Sequence, residues 1–299
     1  MAQSNLQEGS EVELGAKRFY ELLDQEPPDQ LYHYSDQTGL LGILNTGELW
    51  ATKVQYMNDA TEFGLAVDLA KSRLEERSRK FSNGDRCELL RTIVDGLSGI
   101  AHVNVCSVSF CENPDLLSQW RGYSGAGGVA IGFHSVDLKR VACRDGGRLG
   151  HCIYKREDQI EIIEGMIDDL LQNAMSLNTP NSADFNQLKG KFDRYLITYG
   201  AFFKDKSFSE EREWRLVTYI TLYSDRRFCF RPGQSMLIPY YKLQIKNESW
   251  QHEIAAVMLG PCPHPELSKL AINGFLVKHG IADGENTMVT LSIIPYRNW

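Results

Sequence analysis

The chain of 299 residues carries 39 acidic and 32 basic side chains, and 42% of its residues are hydrophobic. This length and composition predict an ordinary soluble globular protein with a substantial core. The formal net charge of -7 gives no overall attraction to phosphate backbones, which argues against a role in coating nucleic acid. The sequence contains no run of about 20 apolar residues, and its first 15 residues form no apolar signal core. We therefore expect a cytoplasmic protein that does not bind membranes.

The seven cysteines are scattered along the chain and form no C-x-x-C pair. Several lie inside predicted strands, where a thiol behaves as a small hydrophobic group. Cys143, His151 and Cys152 are close enough in sequence to suggest zinc, but their spacing fits no standard ligand pattern. We therefore expect reduced, structural cysteines and no metal site.

The first half of the chain reads as alternating strands and helices. Residues 1–30 are expected to form a disordered or peripheral N-terminal segment, with a short helix over 13–23 that ends before a Pro-Pro pair. Strands are predicted over 31–35, 48–51, 103–110 and 129–133, and helices over 36–47, 61–80 and 87–97, with a turn at Asn58 and Asp59 and a helical turn over 116–123.

The second half begins with two amphipathic helices, over 158–175 and 185–203, which predict a helical hairpin inserted at about 156–203. One strand is predicted before this hairpin, at 153–155, and the others after it, at 214–220, 226–231, 236–243, 254–259 and 288–295. A helix is predicted at 265–278. No internal repeat or domain boundary is visible. The pattern favours one α+β domain over 31–299, with a mixed, mostly antiparallel sheet and helices packed on it.

The segment KDKSFSEEREWRLVTYI, residues 204–220, contains the most suggestive charged pair. Glu211 and Glu213 stand at the start of the predicted strand, whose period of two places both carboxylates on one face and Arg212 on the other. Two carboxylates on one face repel each other unless a cation, a ligand hydroxyl or a developing positive charge lies between them. Ion pairing with Arg212, Arg215 or Lys206 is the structural interpretation, and catalysis is the functional one.

Other candidates lie at predicted strand ends and in the adjoining loops. His33 and the neighbouring Tyr34 end the first strand, and the His33 imidazole is suited to a hydrogen bond with either a ribose or a backbone carbonyl. Tyr123 stands beside glycines that let a ligand approach the backbone, so it can stack on an aromatic base or pack. Trp120, next to Arg121, is expected to pack in the core.

The hydroxyls of Ser107 and Ser109 share one face of the predicted central strand and are candidates to orient a glutamate. The glycine-rich stretch that follows has no helix after it, so it is not a dinucleotide-binding fingerprint. A metal-assisted hydrolytic site built from Asp59, Glu211 and Glu213 would need histidines that the sequence does not offer.

Three segments in a fixed order resemble the bacterial family known as domain of unknown function 2971. They are LYHYS at 31–35, VCSVSFCENPDLLSQWRGYSGAGGVAIGF at 105–133, and FFKDKSFSEEREWRLV at 202–217. The resemblance covers roughly residues 31–260, and the order of its motifs is more specific than any single motif.

The order of elements is also similar, more distantly, to the ADP-ribosyltransferase superfamily. That resemblance implies an enzyme that uses NAD as substrate, with His33 holding the nicotinamide ribose. Tyr123 or Ser107 would shape the nicotinamide pocket, Glu213 would be catalytic, and Glu211 would orient the acceptor; these two glutamates can also exchange roles. The chain has no S-T-S strand and no H-G-T triplet. Tyr34, Ser109, Trp120 and Arg121 are the further expected NAD-binding residues.

The resemblance implies a bacterial toxin or anti-phage defence effector that transfers ADP-ribose to a protein or a nucleic acid and has an antitoxin or defence-system partner. The alternative is a non-catalytic sensor or interaction module that binds a nucleotide. Aromatic residues near the expected site suit such a binding pocket.

Overall fold

The computed structural model of the protein describes residues 16–57, 60–81, 84–124, 127–176, 182–246, 254–282 and 289–296. The N-terminal residues 1–15, predicted to be disordered, and the turn predicted at Asn58 and Asp59 lie outside these ranges. None of the described helices has the length and apolar character needed to cross a membrane.

Strands and helices follow one another along the whole described chain. The strands are β1 Gln30–Ser35, β2 Glu48–Lys53, β3 Cys106–Cys111, β4 Val129–His134, β5 Arg148–His151, β6 Glu213–Val217, β7 Phe228–Pro232, β8 Leu237–Gln244, β9 Ile254–Leu259 and β10 Val289–Leu291. The α-helices are α1 Ala16–Leu23, α2 Gln37–Thr46, α3 Ala60–Ser78, α4 Asp85–Gly96, α5 Leu117–Gln119, α6 Ser135–Arg144, α7 Arg156–Met175, α8 Ser182–Gly200 and α9 Pro265–Lys278. A π-helical turn, Trp120–Ser124, continues α5, and a 3₁₀ helix, Lys206–Glu211, precedes β6.

One mixed sheet contains all of these strands. Its main path runs β10-β9-β4-β1-β3-β2-β8-β7, and β6 pairs with β3 and β5. All described pairs are antiparallel except β9 with β10. Strand β6 pairs with β3 along its length on one edge, and β1 and β2 pair with different ends of β3 on the other edge. The sheet therefore branches at β3. The predicted α+β class with a mixed, mostly antiparallel sheet is confirmed.

Helices cover both faces of the sheet. On one face, α2, α6 and α9 bury apolar side chains against strand residues such as Phe110 and Leu216. On the other, α1, α3, α4, α7 and α8 form a helical layer that includes the predicted α7–α8 hairpin. A small third cluster, built around Tyr34 and Trp120, continues that second face toward β1 and β4.

Two local expectations differ from the structure. Residues 16–23 were expected to be peripheral, but Phe19 of α1 is fully buried and stacks on Tyr199 at 3.8 Å. The strand predicted at 153–155 is reduced to a single bridge between Ile153 and Phe203. Helix α6 and strand β5 were not predicted, because glycines and charged residues interrupt the apolar pattern around them.

Candidate functional site

An open cavity of about 350 Å³ lies between the turn after α5 and the 3₁₀ helix before β6. Gly122 and the half-exposed Tyr123 line one side, and Phe208 and Glu211 line the other. Ser118, Ser207 and Glu210 complete the wall. The cavity therefore combines two aromatic rings with two carboxylates and lies at the lower end of the size range of small-molecule sites.

The backbone around Arg212 decides how the two predicted glutamates are presented. Glu211 ends the 3₁₀ helix, Glu213 begins β6, and Arg212 between them has φ 42° and ψ 52°. Among the described residues, Arg212 is the only one other than glycine that has a positive φ, a conformation that L-residues rarely adopt. The expectation that both carboxylates belong to one strand is wrong. They nevertheless converge, because the left-handed kink turns Glu211 back toward Glu213.

Lys204 lies between the two carboxylates. Its Nζ is 2.5 Å from an oxygen of Glu211 and 2.5 Å from an oxygen of Glu213. Its side chain is only 2% exposed, and its ammonium lies 5.1 Å from the ring centre of Phe208. The cation that two adjacent carboxylates require is thus supplied by the protein itself.

Glu213 is also bound by Arg215, two residues along β6. Arg215 donates from Nε to one oxygen at 2.7 Å and from Nη2 to the other at 3.1 Å, and its Nη1 donates to the Ala201 carbonyl at 2.7 Å. The Glu213 backbone N–H donates to the Tyr154 hydroxyl at 2.8 Å. Glu213 is therefore fixed in place and separated from the cavity, whereas Glu211 faces it.

These contacts control the ionisation of the cluster. Burial alone would raise the pKa of Glu213, but Arg215 and Lys204 outweigh that effect and lower the pKa to about 2. Burial raises the pKa of the Cys111 thiol, and the nearby Glu213 and Glu211 raise it further. Glu213 is thus ionised at neutral pH, and Cys111 is a neutral thiol beside it.

Strand register shows which side chains share the face of Glu213. Glu213 pairs with Cys111, and Cys111 pairs with Tyr32. Directly paired residues point to the same side of a sheet, and the next residue in each strand points to the other. Tyr32 therefore shares the face of Glu213, and His33 does not.

His33 lies on the opposite face, with its ring centre 5.9 Å from that of Phe110. Its Nδ1–H donates to the Ser109 carbonyl at 2.9 Å, and burial lowers the pKa of the imidazole. The expected meeting of His33 with the glutamates in one cleft does not occur. The structure corresponds to the other possibility for this residue, a partly buried histidine bonded to a backbone carbonyl.

Tyr34 and Trp120 lie on the Glu213 face and hold the loop that leads into α5. The Tyr34 hydroxyl donates to the Asn113 carbonyl and accepts from the Leu116 N–H, both at 2.9 Å. Trp120 is 1% exposed, packs edge-on against Tyr34 and donates from Nε1 to Asp115 at 2.7 Å. The packing role predicted for Trp120 is confirmed, and both rings support the turn that carries Tyr123.

The remaining predicted residues do not line the cavity. Ser107 and Ser109 are on the Glu213 face of β3, opposite Val217 and Arg215. The Ser107 hydroxyl is buried and has no hydrogen-bond partner among the described residues. Arg121 is exposed, with its guanidinium 5.1 Å from the ring centre of Tyr296. Of the predicted residues, Tyr123 and Glu211 are thus the two that line the cavity together.

Sequence reasoning missed Lys204 and Phe208 as parts of the site. Both lie in the quoted motif, but lysines are almost never fully buried, so their placement had no sequence signal beyond proximity. No group of three His, Cys, Asp or Glu side chains among the described residues could hold a metal ion. Asp59, part of the metal-dependent alternative, lies outside the described ranges.

A comparison with protein families supports the family resemblance predicted from the three motif segments. Residues 119–216 match the model of the family described as Protein of unknown function (DUF2971). The predicted resemblance is confirmed over these residues, which include Tyr123, Lys204 and both glutamates. No curated protein and no solved structure matches the chain.

Proposed function

From this family match and the cavity beside it, we propose that the protein is an ADP-ribosyltransferase-like enzyme that cleaves the bond between nicotinamide and ribose in NAD. The main observation behind this proposal is that Glu211 lines a cavity together with Tyr123 and Phe208. The nicotinamide ring of NAD is flat and positively charged, so two aromatic faces and an acidic wall suit it.

In the proposed reaction, the bond from ribose C1′ to the ring nitrogen breaks, and its electron pair leaves with neutral nicotinamide. Positive charge develops on the ribose, and the preorganised Glu211 carboxylate stabilises that charge. A nucleophilic oxygen or nitrogen of the acceptor forms the new bond to C1′ and releases its proton to solvent. Glu213 contributes indirectly, because it fixes the Lys204 ammonium that orients Glu211.

The proposal extends to the acceptor and to the biological setting expected from the resemblance. The acceptor is a protein or a nucleic acid, and the cell expressing the enzyme is harmed unless an antitoxin or defence-system partner restrains it. Growth arrest on expression, absent for Glu211→Gln, is the corresponding cellular result.

The proposed cleavage of NAD is tested by measuring nicotinamide release with chromatography. Removal of one electrostatic stabiliser of a transition state typically lowers kcat by about 10²–10³-fold, and we expect a loss of that order for Glu211→Gln. Glu26→Gln is the matched control, since Glu26 is 86% exposed and pairs only with Lys139 among the ion pairs of the described residues. If wild type releases no nicotinamide and binds no NAD in calorimetry, the proposal is wrong.

A non-catalytic nucleotide-binding module is the second candidate. It is favoured by the neutralisation of Glu213 by Lys204 and Arg215, and by the position of His33 on the other face. This candidate predicts that NAD binds and is recovered unchanged. Under either candidate, cationic 1-methylnicotinamide should bind more tightly than neutral nicotinamide, and Glu211→Gln should reduce that preference.

A further inference from the structure

A second open cavity, of about 480 Å³, lies beyond the turn that carries Tyr123. Its walls are the loop after β9, which includes Gly260 and Pro261, and the segment after β10, which includes Ile294 and Tyr296. The two walls are joined where the Ser292 N–H donates to the Leu259 carbonyl at 2.8 Å. Four prolines and several aliphatic side chains are part of this lining, and polar and apolar surface contribute to it about equally.

Asp115 ties this cavity to the first one. Its carboxylate accepts from the Ser292 hydroxyl at 2.6 Å, from the Ile293 N–H at 3.0 Å and from Trp120 Nε1 at 2.7 Å. A Cβ on Gly260 would lie 2.8 Å from the Trp120 ring, so glycine permits the close approach of the two elements. The wall of the second cavity and the turn beside the first are therefore built on the same tryptophan.

Arg121 and Tyr123 belong to that turn and serve different cavities. Tyr123 lines the first cavity, while Arg121 lies over the ring of Tyr296, which lines the second. Residues two apart in a helical turn point in different directions, which explains this division. Acidic side chains line the first cavity, and the exposed Arg121 guanidinium lies beside the Tyr296 ring of the second.

This charge pattern matches the two halves of one dinucleotide. We infer that the second cavity binds the adenosine diphosphate half of NAD, with adenine against Tyr296 and the prolines and the pyrophosphate beside Arg121. A guanidinium is well suited to phosphate, and the Asp115 carboxylate is already occupied by three donors. The strands beside the two cavities, β9 and β6, are four strand spacings apart in the sheet, about 19 Å, and we expect the ligand to bind in an extended form. The inference rests on the proposed function for the identity of the ligand.

Calorimetry with ADP, adenosine and nicotinamide riboside tests the inference on the full chain. We expect ADP to bind to the wild-type protein, and Arg121→Ala to raise the Kd for ADP at least about tenfold. The same substitution should weaken adenosine binding by a smaller factor. Tyr296→Ala should weaken the binding of both ADP and adenosine. Arg79→Ala is the matched control, because Arg79 is 76% exposed just after the end of α3.

Nicotinamide riboside separates this inference from the proposed function. Its binding should be weakened by Glu211→Gln and unchanged by Arg121→Ala, and ADP should show the reverse dependence. If ADP does not bind wild type, or binds equally to Arg121→Ala and Tyr296→Ala, the inference is overturned even when nicotinamide is released from NAD. If ADP binding depends on Arg121 but no nicotinamide is released, the inference holds and the proposed reaction fails.

Discussion

The Lys204 ammonium lies 2.5 Å from a carboxylate oxygen of Glu213, and both side chains are at most 3% exposed. Burial of two such charges is unfavourable unless they are paired and hydrogen-bonded, as they are here through Arg215 and Glu211. The pairing makes Glu213 a fixed structural charge. It leaves Glu211, 12% exposed, as the carboxylate of this cluster that meets the cavity.

Removal of Lys204 should be strongly destabilising. Lys204→Met leaves two carboxylates close together with Arg215 as the remaining cation of the described cluster, and the loss of one partner from a buried ion pair typically costs about 3–5 kcal/mol. Urea unfolding monitored by circular dichroism measures the change in unfolding free energy. Lys139→Met, which breaks the exposed pair with Glu26, should cost no more than about 1 kcal/mol. Equal, small losses in both variants would contradict the account.

The Glu213 cluster should make stability depend on acid pH. The pKa of Glu213 is about 2 in the folded protein and near 4.3 in an unfolded chain. Because the folded pKa is the lower one, this contribution is fully present above about pH 5 and is lost as the pH falls toward 2. The stability difference between wild type and Glu213→Gln, from urea unfolding at several pH values, should therefore shrink between pH 5 and the lowest accessible pH. A difference that is independent of pH would contradict the pairing.

The left-handed conformation at Arg212 should tolerate glycine but not a β-branched residue. Arg212→Gly removes the steric cost of positive φ, and the lost ion pair with Glu112 is largely exposed on the arginine side. Unfolding free energy should change by less than about 1 kcal/mol. Arg212→Val should lose about 1–3 kcal/mol and also weaken NAD binding, since Glu211 would move away from Lys204. Identical stabilities for the two variants would show that the kink carries no strain.

His33 should matter for stability rather than for turnover. His33→Ala removes the bond to the Ser109 carbonyl, which is expected to cost about 1–3 kcal/mol. Nicotinamide release per folded molecule should stay within about threefold of wild type, because the imidazole lies on the face opposite Glu213. A loss of about a hundredfold with unchanged stability would instead restore the catalytic role expected from the resemblance.

The elements with strong local signals were predictable from the sequence. Asp36 and Gly47 cap α2, which was predicted over 36–47, with Asp36 accepting from the Gly39 N–H and Gly47 in a left-handed conformation. Helix α9 begins and ends at the predicted residues. These features depend on propensities and caps that act within a few residues.

The site could be predicted only in part. The motif correctly brought Glu211 and Glu213 together, but for the wrong reason, because a left-handed arginine is too rare to expect from sequence. The environment of Lys204 is built from the 3₁₀ helix before β6, from β6 itself and from Tyr154, which no local pattern connects. Likewise, the face on which His33 lies follows from the single register pair of Tyr32 with Cys111. A one-residue difference in that register would have reversed it.

The central claim is that Glu211, facing the cavity beside Tyr123, stabilises the cleavage of NAD. Single-turnover release of nicotinamide by wild type, Glu211→Gln and Glu26→Gln tests it most directly, with NAD binding measured on the same samples. The account predicts that NAD still binds to Glu211→Gln while the rate of release falls by about 10²–10³-fold, and that Glu26→Gln matches wild type. Release at the wild-type rate by a folded Glu211→Gln protein would contradict the claim.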